Sequence, residues 1–302
     1  MNKTPKVSII IPTHKRDISI LSRAIESALS QSYSNVEIII IDDNAGEELI
    51  EYRKANIELV NQLLSNDNRL KLICNDKNLG GALSRNEGIK TATGEYITFL
   101  DDDDYFLKDK VLHQIEYMTE NDVNFSFTDL YLYDKANKVI DIRDRSDLKS
   151  NDKNYLLKYH IVKNITGTET FMSTKALLED IGLFDEAITG HEFYLMIKVL
   201  LSPNSKIGYF KSNDIVAYRT ADSSISNGPH KIEGENKIYA KRREFYGILN
   251  AKEKRIVRSR HYSVIGVTYL RRKRFLKGLC CLALAFLISP LLAFKEFFLK
   301  KR

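Results

Sequence analysis

The sequence predicts an α/β fold in which a mostly parallel central sheet is flanked by helices. Two patterns support this prediction: continuous runs of β-branched apolar residues alternate with segments of helical spacing, and acidic residues directly follow two of the runs. Strands that alternate with helices favour right-handed crossovers and hence a parallel sheet. The 302 residues are enough for one large domain with an appendage or for two ordinary domains.

Four strands and three helices are expected in the first hundred residues. Each predicted strand is a short apolar run, typical of a strand that is covered on both faces. The strands are predicted at residues 7–11, 36–41, 70–74 and 95–100, and the helices at residues 18–29, 47–64 and 82–91. Beyond residue 107 the pattern loosens, with strand-like alternation at 125–133, a polar connection at 134–154 and helices at 174–181 and 192–201.

Four consecutive carboxylates, Asp101 to Asp104, follow the fourth predicted strand, at the edge where sheets of this kind bind ligands. Such carboxylates repel one another in a partly buried cleft unless a cation or water compensates them. Their oxygens suit Mg²⁺ or Mn²⁺, and Mg²⁺ is commonly held by one or two carboxylates and by substrate phosphates. A solvated turn is the alternative, but the position between a strand and a helix favours a metal site.

Asp42 and Asp43 follow the second predicted strand, where a carboxylate can accept hydrogen bonds from a nucleobase or a ribose. The alternative is that one of them caps the next helix. The sequence has no Gly-rich phosphate loop of the dinucleotide-binding or P-loop type, which disfavours a dehydrogenase or a P-loop NTPase. Phosphates are therefore expected to be held by a metal ion and by basic side chains.

Six stretches in the same order resemble the glycosyltransferases of family 2, which have the Rossmann-like GT-A fold. The resemblance covers roughly residues 6–226. The stretches are VSIIIPTHKR at 7–16, ALSQSY at 28–33, EIIIIDDN at 37–44, NLGGALSRNEG at 78–88, TGEYITFLDDDD at 93–104 and GHEFYL at 190–195. The resemblance implies a catalytic domain at residues 1–226, with a nucleotide-binding half at 1–105 and an acceptor half at 106–226, followed by a helical region at 227–302.

The resemblance also implies a role for each matching residue. Asp103 would coordinate Mn²⁺ or Mg²⁺ on the donor diphosphate, and Glu192 would be the catalytic base. The nucleotide-sugar donor would be bound by Pro12 and His14 at the nucleobase, by Asp43 through a hydrogen bond to the base, and by Arg16, Arg85, Asp101, Asp102 and Arg219.

Two of these positions, Glu192 and Arg219, have alternative interpretations. Glu192 occupies the base position in a His-Glu pair where the family more often has Glu-Asp or Gln-Asp, and a charge at a helix amino terminus is the other interpretation. Arg219 falls in a segment that resembles the family's phosphate-covering loop, or it forms an ordinary surface salt bridge. Ala221 replaces the usual His of that loop, and His191 is expected in an acceptor-pocket or structural role.

The carboxyl-terminal segment is strongly basic, whereas the rest of the chain is acidic. Residues 252–302 have 14 Lys or Arg against two Glu, and residues 1–251 have 32 basic against 38 acidic residues. An apolar run at 279–294 is short of the roughly 20 residues that span a bilayer, and basic residues flank it on both sides. We therefore expect residues 271–302 to associate with an anionic membrane surface. A helical hairpin that packs on the catalytic domain is the alternative.

Together these patterns predict an inverting glycosyltransferase. It would move a sugar from a nucleotide-sugar donor, expected to be a UDP-sugar, to a cell-surface polysaccharide or a lipid-linked oligosaccharide by metal-assisted single displacement. A non-catalytic membrane-tethered protein that binds sugar nucleotides is the rival, and nucleotidyl transfer is a third interpretation. Nucleic acid is not an expected partner, because no recognition motif is present. Without a secretory signal or a disulfide framework, a cytoplasmic location on the inner face of the membrane is expected.

Overall fold

A central seven-stranded sheet confirms the predicted α/β fold. The computed structural model describes residues 4–290 except 66, 135, 166, 188 and 219–229. Across the sheet the strands are β10 (Ile207–Tyr209), β6 (Phe125–Phe127), β9 (Met172–Thr174), β4 (Tyr96–Phe99), β1 (Val7–Thr13), β2 (Val36–Asp42) and β3 (Leu70–Cys74). Strand β9 runs antiparallel to both neighbours, and the other pairs are parallel.

A second sheet of four strands was not predicted. Its order is β5 (Tyr105–Phe106), β11 (Ile215–Tyr218), β7 (Leu130–Tyr133) and β8 (Val139–Arg143). The alternation at 125–133 is two strands in different sheets, divided at Thr128 and Asp129. Asp129 is buried there because it accepts hydrogen bonds from the Arg145 amide (2.9 Å) and the Tyr209 hydroxyl (2.8 Å). The expected polar connection at 134–154 was wrong in part, since it contains β8.

Ten helices are found among the described residues, and those predicted from spacing lie close to their expected bounds. In chain order they are α1 (Ile18–Leu29), α2 (Ile50–Leu64), α3 (Gly80–Thr91), α4 (Lys110–Glu120), α5 (Lys153–Lys163), α6 (Lys175–Asp180), α7 (His191–Leu201), α8 (Lys231–Glu244), α9 (Ala251–Arg271) and α10 (Phe275–Ile288).

Alternate residues of β1 face opposite sides of the sheet, as the two-residue period of a strand requires. Ile9 and Ile11 pack in the cluster that contains Leu21 of α1, whereas Ile10 packs in the cluster that contains Phe99. Burial of each such side chain stabilises the fold by roughly 1.5–3 kcal/mol. The continuous apolar runs therefore reflect a sheet that is covered on both faces, and only its edges remain for polar contacts.

A buried carboxylate lies at the amino edge of the sheet, the side on which the parallel strands begin. Its negative charge is fully balanced by hydrogen-bond donors and cations. Glu37 of β2 accepts hydrogen bonds from the Ser8 hydroxyl (2.6 Å) and the Thr93 amide (2.6 Å), and it pairs with Lys6 (3.2 Å) and Lys71 (2.9 Å). Burial acts to raise the pKa of Glu37, but these donors outweigh it and lower that pKa to about 2. Glu37 therefore ties β2 to its neighbours as a charged group.

Helices α9 and α10 form a hairpin with close backbone contact. A Cβ added at Gly266 would lie 2.9 Å from Leu282, and one at Gly278 would lie 2.6 Å from Leu270. Small residues at these two positions let the helices approach each other. No helix within the described part of the chain is both long and apolar enough to cross a membrane.

Candidate active site

The candidate site lies at the carboxyl edge of β1, β2 and β4. Strand β1 ends at Thr13, β2 ends at Asp42, and Phe99 of β4 is followed by Leu100 and the four aspartates. Because the three strands are parallel neighbours, the segments that follow them emerge side by side. This arrangement brings the residues predicted for the nucleobase and for the diphosphate to one edge of the sheet.

Asp43 is buried and accepts three N–H groups. Its Oδ1 accepts from the Asn75 amide group (2.7 Å) and the Leu79 backbone (2.8 Å), and its Oδ2 accepts from the Gly80 backbone (2.8 Å). A carboxylate oxygen can accept two hydrogen bonds, so Oδ2 retains capacity for one more donor. The Asp43 carboxylate is therefore fixed at the start of α3, and Oδ2 has capacity for one further hydrogen bond.

The neighbouring Asp42 has a structural role. It is fully buried, and its carboxylate pairs with Arg53 (3.1 Å) and accepts from the Asn56 side chain (2.6 Å). Neither Asp42 nor Asp43 caps the next helical turn, which begins after Gly46 without a side-chain cap. The capping alternative is therefore wrong for that turn.

His14 lies beside Asp43 and is exposed. Its Nδ1 is 3.1 Å from the Asp43 carbonyl oxygen and 3.1 Å from the side-chain nitrogen of Asn78. Pro12, in β1, is half-buried one residue before the end of that strand. His14 thus contacts the backbone of Asp43, and Pro12 lies on the neighbouring strand β1.

Arg16 reaches into the acidic run. Its guanidinium lies 2.8 Å from Asp102 Oδ1 and 3.1 Å from Asp103 Oδ2, and Arg23 donates to the Asp103 carbonyl (2.7 Å). Asp102 is buried, whereas the Asp103 side chain is a quarter exposed. Burial raises the pKa of Asp103 to about 6, although the Arg16 charge opposes it and the charges of Asp101 and Asp102 add to it.

Arg85 joins the acidic run to the first turn of α7. This buried guanidinium pairs with Asp101 and also approaches His191 Nε2 at 3.0 Å. Because Arg85 can only donate, Nε2 accepts and His191 is neutral, in agreement with its pKa, which burial and then the Arg85 charge lower. Glu192 Oε2 is 3.8 Å from the same Nε2, which is too far for a hydrogen bond and, with a neutral imidazole, is not an ion pair.

Glu169 is a site residue that the sequence prediction missed. It lies one turn before β9, is buried, and brings a carboxylate oxygen within 4.8 Å of oxygens of Asp101 and Asp104. Burial, followed by the Asp101 charge, raises the pKa of Glu169 to about 7. Burial and the Glu169 charge likewise raise the pKa of Asp104 well above its ordinary value. The only sequence signal was an acidic residue three positions before the strand β9.

This acidic group fits a divalent cation by its chemistry. Its donors are hard carboxylate oxygens, and two of the three side chains are almost fully buried with raised pKa values. Asp103, the predicted metal ligand, lies next to this group along the chain but is paired with Arg16. Arg219 and Ala221 lie outside the described residues.

Comparison with known proteins identifies the sequence family and related enzymes. Residues 8–180 match the family model described as Glycosyl transferase family 2. An uncharacterized glycosyltransferase of Haemophilus influenzae is 38% identical over 131 residues, which are 42% of this chain and 49% of that protein. The Escherichia coli protein WfaP, named a UDP-Glc:α-D-GlcNAc-diphosphoundecaprenol β-1,3-glucosyltransferase, is 38% identical over 126 residues, 42% of this chain and 46% of WfaP. The match therefore spans about half the length of both relatives.

The fold resembles that of a solved glycosyltransferase. The mannosyltransferase PcManGT from Pyrobaculum calidifontis, in complex with GDP-Man and Mn²⁺, superposes with a TM-score of 0.59 at 14% identity. The likeness covers 99% of this chain and 83% of PcManGT. At this identity the comparison establishes the fold alone, and it confirms the predicted GT-A architecture.

Proposed function

The chain belongs to glycosyl transferase family 2, and from this premise we propose that it transfers a sugar from a UDP-sugar to a glycan hydroxyl. The acceptor would be a cell-surface polysaccharide or a lipid-linked oligosaccharide. The observation that carries the proposal is the convergence of Asp43, the Arg85–Asp101 pair and Glu192 at one edge of the sheet. The name of WfaP, which states a UDP-linked donor and a diphosphoundecaprenol acceptor, supports the choice of both substrates.

The donor base would be bound at Asp43. The imide N–H of uracil is a donor, and the vacant acceptor position on Asp43 Oδ2 suits it. Pro12 and His14 would line the same pocket. Arg16, Asp101, Asp102 and Arg219 remain proposed contacts of the ribose and diphosphate.

Mn²⁺ or Mg²⁺ would be held at the carboxylates that follow β4. We retain Asp103 as a ligand and add the group of Asp101, Asp104 and Glu169, whose oxygens lie close together. When bound, the metal would act as a Lewis acid that stabilises charge on the departing diphosphate, an effect worth several kcal/mol. The protein contributes the acidic group and the Arg16 and Arg85 cations beside it.

Glu192 would accept the proton of the acceptor hydroxyl. The acceptor oxygen forms a bond to the anomeric carbon while the bond from that carbon to the phosphate oxygen breaks, so the configuration inverts. The proton moves to Glu192, and the nucleoside diphosphate leaves. A positioned base contributes roughly 10²–10⁴ to the rate. The first turn of α7 places this carboxylate beside neutral His191, with its side chain 23% exposed.

Release of UDP from a donor panel tests the function. UDP-glucose, UDP-galactose and UDP-N-acetylglucosamine are incubated with the full chain and Mn²⁺, with or without EDTA. We expect turnover of at least one donor, its loss in EDTA, and a fall of about 100-fold or more in Glu192→Gln. The matched control Glu186→Gln, an exposed residue before α7, should retain activity. Binding without turnover would favour the non-catalytic rival, and pyrophosphate release would favour nucleotidyl transfer.

We also propose that the enzyme works on the inner, anionic face of the cell membrane through α10. Residues 254–290 contain nine Lys or Arg and no acidic residue. This charge favours an anionic lipid surface over a second copy of the chain, because two such hairpins would repel each other. The large apolar side chains that α10 exposes are Phe275, Leu276, Leu279, Leu284, Phe286 and Leu287.

Flotation with vesicles tests this position. The full chain should float with vesicles that contain phosphatidylglycerol and weakly with phosphatidylcholine alone. The double variant Arg274→Gln/Lys277→Gln should bind roughly 30-fold more weakly, at about 1 kcal/mol for each charge. Leu276→Ser/Leu287→Ser should also lose binding, whereas Ile142→Ser, a control at an exposed position of β8, should not. Equal flotation of all four proteins, or a concentration-dependent dimer abolished by Leu276→Ser/Leu287→Ser, would overturn the proposal.

A further inference from the structure

The helix that carries Glu192 has no side-chain cap to fix its first turn. Helix α7 begins after Gly190, which has a φ of 75° and provides no side-chain cap. The first turn of a helix leaves backbone N–H groups without intrahelical partners, and a capping side chain commonly anchors it. The position of Glu192 must therefore be set by whatever packs against residues 189–193.

One face of α8 packs along this segment. Gly234, Ile238 and Arg242 are spaced four residues apart and so lie on the same side of the helix. A Cβ added at Gly234 would lie 1.8 Å from Thr189 Oγ1, so the two backbones approach closely there. A Cβ added at Gly190 would likewise lie 2.6 Å from Ile238 Cδ1.

The third residue of this face reaches the residue after Glu192. The Arg242 guanidinium carbon lies 5.1 Å from the centre of the Phe193 ring. The same buried guanidinium donates to the Ile161 carbonyl (2.6 Å) and to Asn164 Oδ1 (2.8 Å), at the end of α5. Arg242 thus joins α8, α7 and α5 at one point.

His160 of α5 completes the contact with Phe193. Its ring stacks on the Phe193 ring at 4.7 Å, and its Nε2 donates to the Phe193 carbonyl oxygen (3.1 Å). Its Nδ1 accepts from the Ile165 amide (2.9 Å), which fixes the neutral tautomer. His160 therefore holds both the ring and the backbone of Phe193 from the core. The residues before Phe193, His191 and Glu192, face the candidate site instead.

The geometry points to α8 as a positioning element of the catalytic site: the face formed by Gly234, Ile238 and Arg242 sets the place of the first turn of α7 and, through it, of Glu192. This inference rests on the proposed role of Glu192 as the base. It assigns residues 231–244 to the catalytic unit, although the sequence places the domain boundary before them. A misplacement of about 1 Å can lower a rate by about 100-fold without loss of substrate binding.

The close approach at Gly234 provides a test with an internal rescue. Gly234→Ala places a methyl group against Thr189 Oγ1, and Thr189→Ala removes that oxygen. The matched control is Gly247→Ala, because a Cβ there meets nothing within 4 Å. The rate of UDP release is measured at saturating Mn²⁺ with the UDP-sugar of the panel that the unchanged protein turns over fastest, and UDP affinity is measured by calorimetry.

We expect Gly234→Ala to lower kcat by about 10- to 100-fold while the donor KM and UDP affinity stay within about twofold. Gly234→Ala/Thr189→Ala should recover most of kcat, and Thr189→Ala and Gly247→Ala should resemble the unchanged protein. A merely structural contact would instead lower the amount of folded enzyme. The value of kcat, calculated for the enzyme that still binds UDP, would then be unchanged. Ile238→Val removes the methyl group beside Gly190 with little risk to folding and should lower kcat by about threefold.

The outcomes separate this inference from the proposed function. Full kcat in Glu192→Gln would refute the base itself, whatever the α8 variants do. An inactive Glu192→Gln together with full kcat in Gly234→Ala and Ile238→Val would overturn the role of α8 alone. Should Gly234→Ala fail to fold, Ile238→Val decides by the same comparison of kcat with donor KM.

Discussion

Glu37, at the amino edge of the central sheet, and the acids near the end of β4, at its carboxyl edge, have pKa values shifted in opposite directions. At the amino edge, Glu37 is surrounded by hydroxyl and amide donors and two lysines, and its pKa falls to about 2. At the carboxyl edge, burial and neighbouring negative charge raise the pKa of Asp103 to about 6 and that of Glu169 to about 7. Glu37 is compensated by donors of the chain, whereas Asp101 to Asp104 and Glu169 carry more negative charge than the neighbouring Arg16 and Arg85 balance.

The difference separates a charge that stabilises the fold from the charges that we propose to bind a metal ion. Glu37 stabilises the fold because folding supplies its partners. The acids after β4 reduce the stability of the metal-free protein, because their negative charges are not fully balanced. A divalent cation would supply the missing positive charge. Four substitutions test this contrast, from the largest expected effect to the smallest.

Asp103→Asn should abolish most donor turnover and leave the fold intact. Loss of a metal ligand removes several kcal/mol of charge stabilisation, so kcat should fall by about 1,000-fold. Thermal unfolding in EDTA should be unchanged or shifted upward. Asp122→Asn, at an exposed turn, is the control. Full turnover and an unaltered Mn²⁺ requirement would contradict the assignment of Asp103.

Glu37→Gln should reduce stability without affecting the site. Removal of one partner of a buried ionic group typically costs about 3–5 kcal/mol, and Glu37 is only 2% exposed. Because its pKa is lowered from the ordinary 4.5 to about 2, its contribution is present above pH 4.5 and is lost as the pH falls towards 2. Urea unfolding between pH 3 and 7 should show this loss in the unchanged protein and a flatter profile in the variant.

The control for Glu37 is Glu51→Gln, whose side chain is 80% exposed. Its unfolding midpoint should match that of the unchanged protein at each pH. A Glu37→Gln protein as stable as this control at pH 7 would show that the amino edge needs no charge.

Glu169→Gln should make the metal-free protein more stable at pH 8. The pKa of Glu169 is raised to about 7, so its favourable contribution is present below pH 4.5 and is lost as the pH rises through 7. The amide avoids a buried charge at high pH, and we expect a gain of about 1–2 kcal/mol in the unfolding free energy, fading towards pH 5. Urea unfolding in EDTA at pH 5 and pH 8 measures this gain. A loss of stability at pH 8 would contradict an excess of negative charge around Glu169.

Lys71→Met should have the smallest effect. The Lys71 side chain is 43% exposed and shares Glu37 with Lys6, so its loss should cost roughly 0.5 kcal/mol. Lys54→Met, at a surface pair, serves as the reference. A cost above about 2 kcal/mol would indicate that a single lysine, rather than the whole set of donors, compensates Glu37.

The sequence predicts the first half of the sheet well because buried parallel strands are continuous apolar runs. Strands β1 to β4 and the acids that follow them lie where the pattern places them. Strand β5 has only two residues, and β8 is a largely exposed edge strand of the second sheet, so neither forms a continuous apolar run and the pairing of both depends on distant segments. Glu169 and the pairing of Arg16 with Asp102 and Asp103 are set by such distant contacts and could not be inferred from spacing.

The three N–H groups that hold Asp43 have a consequence for the choice of nucleotide. The carboxylate is in place before any donor arrives, and both of its oxygens act as hydrogen-bond acceptors there. Cytosine presents a bare ring nitrogen where uracil presents N–H, so a cytidine nucleotide would set one lone pair against another in a buried position. If Asp43 binds the base as proposed, a cytidine nucleotide should therefore bind more weakly than a uridine nucleotide.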